Sequence, residues 1–245
     1  MKMFFTILFA MWISNCFSQI TKTKTDFVVK ENVIPYDSLS NISFDNFKSQ
    51  VGQTLYMNDD KFDKEKGVKD YSLRKTTSFD TRDLTEKNIY KYTSKNGFAG
   101  SDYNAVTNRY YYVNRLITDS TVDPIFTKTE NYCFELITQD EAKDTVYYHF
   151  DNVSKLFSDF ITVGYFEKMR NLYKGKYFYS NGYLSASPYF NFYKFGIGEK
   201  IETDIPQNTE FRCTDITIQD GGYYSLIMVL ENENFGKLYI NLLST

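Results

Sequence analysis

The chain has 245 residues, with 28 Lys and Arg against 31 Asp and Glu, one His, three Cys and a net charge of −3. The charges are interspersed and build no basic block, which argues against nucleic acid and anionic membrane as partners. The 22 Tyr, 22 Phe and only four Pro favour half-buried pleated surfaces, hence a β-rich fold.

Met1-Lys2 opens the chain, and an apolar run to Ile13 follows. That run is too short to span a bilayer comfortably and ends in small residues at Cys16 and Ser18. Residues 1–18 therefore read as a signal peptide, cleaved to leave Gln19 first. Cleavage removes Lys2 and takes the net charge from −3 to −4. Ile13-Ser14-Asn15-Cys16 is a loose lipoprotein box, so lipidation of Cys16 is the alternative. No other stretch is apolar for long enough to be a transmembrane segment.

Residues 19–40 are polar and mixed and read as an N-terminal arm, with a strand at Asp26–Val29. Phe44, Phe47 and Val51 then follow helical spacing, Gly52 turns the chain, and 53–57 reads as a strand. Asp59, Asp60, Asp63 and Glu65 hint at calcium, but Lys61 and Lys64 occupy positions that a calcium loop gives to a ligand and a glycine. The segment reads as a solvated loop. Residues 108–117, 131–139 and 144–151 read as three meandering strands, the last two joined by a polar connection at Gln139–Lys143. Residues 153–157 read as a helical turn.

The same order then returns. Tyr165, Phe166, Met169, Leu172 and Tyr173 follow helical spacing, Gly175 ends the helix, and 176–180 reads as a strand. Residues 210–218, 223–230 and 237–243 read as a second meander, with a tight-turn signal at Asp220-Gly221-Gly222. Phe44, Phe47 and Val51 map onto Phe166, Met169 and Tyr173 at an offset of 122, and Gly52, Leu55 and Tyr56 onto Gly175, Phe178 and Tyr179 at 123. Tyr111, Val113 and Leu116 map onto Phe211, Cys213 and Ile216 at 100. Both final strands map at 92, so the last hairpin is expected to have one length in both halves. The fold expected is mainly β with short helices, in two tandem related repeats over 41–152 and 160–245. Each repeat would be a small SH3-like barrel or half of a sandwich.

Candidate chemistry is sparse. His149 is the sole histidine, and any Ser-His-Asp or Cys-His site would have to use it. It reads as an exposed residue near a strand end. One histidine and two remaining cysteines, Cys133 and Cys213, make no zinc set. These cysteines are candidates for one disulfide between the halves, with buried free thiols as the alternative. Gly196-Ile197-Gly198 is a weak phosphate-loop match and reads as a turn. No cofactor motif stands out. Glu135, Asp151, Glu231 and Glu233 are the carboxylates available to a glycosidase-like hydrolase.

Nine of the nineteen residues Tyr177–Phe195 are Tyr or Phe, more than one strand face can bury. Tyr177, Tyr179, Tyr183, Tyr189 and Phe192 are the candidate binding residues, because rigid aromatics beside Asn and Ser suit sugars or partner proteins. The expectation is an exported, periplasmic or extracellular bacterial protein, non-enzymatic, that binds an envelope glycan, wall polymer or protein. A secreted carboxylate-dependent hydrolase and a lipid-anchored surface protein are the alternatives.

Overall fold

The computed structural model describes residues 36, 40–58, 61–69, 73–78, 85–121, 129–151, 160–180, 193–194, 199–200, 205–218 and 226–242. The signal peptide expected at 1–18, most of the arm expected at 19–40 and the helical turn expected at 153–157 lie outside them. A 3-10 turn at Phe47–Gln50 leads into β1 (Thr54–Met57). Next come α1 (Lys61–Lys66), β2 (Val68–Lys69), β3 (Leu73–Arg74), β4 (Tyr92–Lys95), β5 (Phe98–Asp102) and α2 (Tyr103–Val106). The first meander is β6 (Arg109–Thr121), β7 (Thr129–Thr138) and β8 (Thr145–Asp151). β9 (Phe160–Thr162) runs straight into α3 (Val163–Tyr173). β10 (Tyr177–Tyr179), β11 (Tyr193–Lys194) and β12 (Glu199–Lys200) precede the second meander, β13 (Glu210–Ile218), β14 (Leu226–Asn232) and β15 (Gly236–Asn241).

The described strands form three antiparallel sheets, ordered β3-β8-β7-β6-β1-β9, β10-β13-β14-β15-β11-β12 and β2-β5-β4. None closes on itself among the described residues, which corrects the barrel expectation. The end strands of each large sheet are not paired with one another among the described residues. α3 contacts both β13 and β1. Its Val163, Phe166 and Met169 share one core with Phe211, Ile216 and Leu230 of the second sheet and with Tyr56 of the first. A separate core under the first sheet gathers Phe47, Leu55, Tyr111, Phe134 and Leu136.

Two stretches of backbone make the same moves. Gly52 N–H donates to Val113 O at 2.8 Å, and Val113 N–H donates to Gln53 O at 2.9 Å. Gly175 N–H donates to Cys213 O, and Cys213 N–H to Lys176 O, both at 2.8 Å. Both glycines sit at positive φ, +88° and +81°, a backbone conformation that residues with a side chain rarely adopt. Beyond them, Leu55 pairs with Tyr111 and Phe178 with Phe211. The next strands shift register between Val113 and Arg115 in β6, and between Cys213 and Asp215 in β13.

The final hairpins differ, against expectation. Leu136 pairs with Val146, but Leu230 pairs with Leu238, so the first connection is two residues longer. A shift of two keeps every side chain on its face, so the hydrophobic pattern cannot register it.

The first helix is also shorter than its spacing suggests. Asn46 accepts from Ser43 N–H at 2.8 Å and donates to Asn41 O at 2.8 Å, which holds the chain in a turn until Phe47. Only four residues then remain before the turn at Gly52. Phe47 anchors them, packing edge-on against Tyr132 and Phe150 at 4.7 and 5.3 Å between ring centres.

The segment expected to be a solvated acidic loop is partly helical, at Lys61–Lys66. Asp63 is buried and accepts from Lys69 Nζ at 2.8 Å. It staples the helix to β2, a structural use of the carboxylate. Asp59 and Asp60 lie outside the described residues.

Candidate functional site

Among the described residues β10 is the end strand of the second sheet, and alternation along it separates two environments. Phe178 turns inward, 5.8 Å from the Tyr173 ring, and packs against the core. Tyr177 and Tyr179 turn outward and are 56 % and 61 % exposed. Across the strand pair, Tyr177 faces Arg212 and Tyr179 faces Glu210. Arg212 in turn stands opposite Glu231 on β14.

These side chains border an open cavity of about 810 Å³, lined by Tyr177, Glu210, Arg212, Thr214, Glu231, Asn232, Glu233, Asn234 and Gly236. The Tyr179 hydroxyl donates to the Glu210 carboxylate, and this bond to an anion raises its pKa. One rim is the β14–β15 turn. Asn232 Oδ1 accepts from Asn234 N–H at 2.7 Å and Phe235 N–H at 3.0 Å, while its amide donates to Glu210 O at 2.8 Å. Phe235 is thereby laid near Phe211, 6.4 Å between rings, and pins the turn to the core. The aromatic edge and the polar floor are thus both set by backbone-level contacts.

Of the aromatic candidates, Tyr177 and Tyr179 share this face. Tyr183, Tyr189 and Phe192 lie outside the described residues, as do Gly196, Ile197 and Gly198. Arg212 and Glu210 were not singled out from the sequence. The signal was present, since Glu210-Phe211-Arg212-Cys213 alternates, and Phe211 and Cys213 are buried while Glu210 and Arg212 are exposed.

The carboxylates separate into two groups. Glu231 and Glu233 border the same cavity as Glu210. Glu135 belongs to the first sheet, where it is buried and accepts from Arg115 Nε and Nη2 at 2.9 and 2.7 Å and from Asn114 at 2.5 Å. Burial raises its pKa, but the Asn114 and Arg115 bonds outweigh that and hold the carboxyl low. Glu135 is therefore a committed ion-pair partner. Asp151 ends β8, on the first sheet.

The sole histidine is not at an exposed strand end, which corrects that expectation. His149 stands within β8 opposite Cys133 of β7. Its Nε2 lies 3.0 Å from Thr76 O and 3.7 Å from Cys133 Sγ. Burial pushes the imidazole pKa down to about 4 and the Cys133 thiol up to about 12. A nucleophilic couple needs the opposite shifts, a thiolate beside an imidazolium. Burial therefore favours the neutral form of both groups, with Cys133 buried and His149 half-buried beside it.

Cys133 and Cys213 are both free and buried, in different sheets, with no disulfide between them. No group of three or more His, Cys, Asp or Glu suited to a metal ion occurs among the described residues. Among them, no helix is long and apolar enough to cross a membrane. No protein-family model, curated protein or solved structure matches the chain.

Proposed function

We propose that the chain is an exported bacterial binding module, associated with the cell envelope and non-enzymatic, that holds its ligand on the outer face of the second sheet. The observation that carries this reading is the exposure of Tyr177 and Tyr179 beside a polar cavity on a well-packed sheet. Large exposed aromatics rimmed by polar groups mark recognition surfaces. The ligand is an envelope component long enough to pass both rings.

The module is built from two related units, 41–152 and 160–245. The paired glycine turns, the shared register at Leu55 and Phe178, and the matching shifts at Val113 and Cys213 support a common origin. Export rests on the leader, and mass analysis of the mature N-terminus distinguishes Gln19 from a lipidated Cys16.

Purified residues 19–245, passed over envelope fragments beside a glycan panel, test the function. Retention that falls in Tyr177→Ala and Tyr179→Ala without a lower melting temperature supports it, and no retention on any fragment or glycan removes its support. The second reading, a secreted hydrolase, draws on the cavity shared by Glu231 and Glu233. It requires release of reducing ends that Glu231→Gln or Glu233→Gln abolishes.

A further inference from the structure

We infer that Tyr36 closes a strap: the N-terminal arm crosses the junction between the two large sheets and fastens the start of α3, and this fastening opens separately from the sheets. The junction is where β9, in the first sheet, ends on Thr162 and α3 begins at Val163. Asn41 grips β9, donating from Nδ2 to Phe160 O and accepting from Thr162 N–H through Oδ1, both at 2.9 Å. The Thr162 hydroxyl donates to Gln50 Oε1 at 2.9 Å, and α3 starts without a side-chain cap.

Tyr36 completes the crossing. Its ring is buried, stands edge-on to Tyr165 at 6.5 Å between centres, and joins the core around α3. Its hydroxyl accepts from Gln50 Nε2 at 3.1 Å and donates to Ser40 O at 2.8 Å. Its carbonyl accepts from Lys168 Nζ at 3.2 Å. One arm residue thus holds both the turn before β1 and the helix that packs on the second sheet.

Gly164 shows how close the arm comes. It lies within α3, where glycine is a poorer helix former than alanine. A Cβ at this position would stand 2.6 Å from Tyr36 Cβ and 3.1 Å from Gln53 Oε1. The first distance is far inside the roughly 3.5–4.0 Å at which carbon atoms pack. The missing side chain is what lets Tyr36 lie against the helix.

The strap is separable because its neighbours are held without it. The bonds of Asn41 to β9, of Thr162 to Gln50 and of Ser43 N–H to Asn46 Oδ1 do not involve Tyr36. β9 stays paired with β1, and Arg170 of α3 stays on Asp215 of β13. Opening therefore releases one ring and the first turns of α3 without breaking a strand ladder, a local event that costs less than global unfolding.

A double-mutant cycle in residues 19–245 reads the contact. Gly164→Ala should lower the folding equilibrium constant about tenfold or more in the chain with Tyr36. In the Tyr36→Gly chain, which has no Cβ to meet, the same change should cost less than about threefold. Hydrogen exchange in Tyr36→Ala should quicken about tenfold at the Glu167–Met169 amides and stay unchanged in β7 and β14. Tyr36→Phe, which keeps the ring and drops the hydroxyl, should give the same pattern at smaller amplitude, and it carries the test where the smaller residues prevent folding. Additive costs in the cycle overturn the inference. Exchange that quickens equally in α3, β7 and β14 also overturns it, because Tyr36 would then be core common to the whole fold.

Discussion

Tyr56 and Tyr179 stand at equivalent points of two sheets, yet one is 1 % and the other 61 % exposed. Each lies four residues after a positive-φ glycine and beside the residue that pairs across to the meander, Leu55 to Tyr111 or Phe178 to Phe211. The Tyr56 ring is 5.3 Å from Tyr110 and meets the core around α3, and its hydroxyl donates to Asn108 at 2.5 Å. Tyr56→Ala should therefore cost about 3–5 kcal/mol of stability in urea unfolding. Tyr179→Ala should stay within about 0.5 kcal/mol. Equal costs would mean that the second sheet's outer face is covered.

Gly175 provides the turn that starts β10, at φ +81°. A Cβ there meets nothing within 4 Å, so Gly175→Ala tests backbone conformation alone. The loss should be about 1–2 kcal/mol by chemical denaturation. Gly175→Asn should recover part of it, because Asn tolerates left-handed backbone better than Ala.

Much of this was legible in the sequence, and the failures share a cause. α3 follows from Tyr165, Phe166, Met169 and Tyr173 at helical spacing, and β13 from alternating polar and apolar residues. β2, β3 and β9 are two or three residues long, too short for any period to be seen. β9 is also fixed by a partner far away in sequence, β1, and by Thr162 donating to Gln50 Oε1 at 2.9 Å. The pairing of Cys133 with His149 needed a strand register that composition does not carry. At the candidate site, exposed aromatics were foreseen, while the carboxylates and Arg212 beside them depend on how β13 and β14 align.

The single histidine makes acid stability informative. His149 has a depressed pKa, about 4, because burial disfavours the cation. The unfolded chain, near 6.5, binds this proton more readily, so His149 erodes stability as pH falls from about 6.5 to 4. Glu167 acts oppositely. Burial raises its pKa, so its contribution to stability is present at low pH and lost as pH rises through the folded value. His149→Gln should flatten the fall in melting temperature between pH 6.5 and 4.5. Glu167→Gln should raise the melting temperature most at neutral pH. A pH profile unchanged by His149→Gln would contradict the buried, neutral imidazole.

Both thiols should be inert in the folded protein. Burial raises Cys133 to about 12 and Cys213 to about 11, leaving little thiolate at pH 8. A thiol reagent at pH 8 should therefore react slowly with residues 19–245 until denaturant is added, then label both cysteines. Absence of free thiol after denaturation would reveal a disulfide.

Hydrogen exchange at the Tyr177–Tyr179 amides, measured with and without envelope fragments, tests the location of binding most directly. The account predicts slowed exchange there, lost in the Tyr177→Ala and Tyr179→Ala double variant while the melting temperature holds. Retention on the fragments with unchanged exchange along β10 would contradict it.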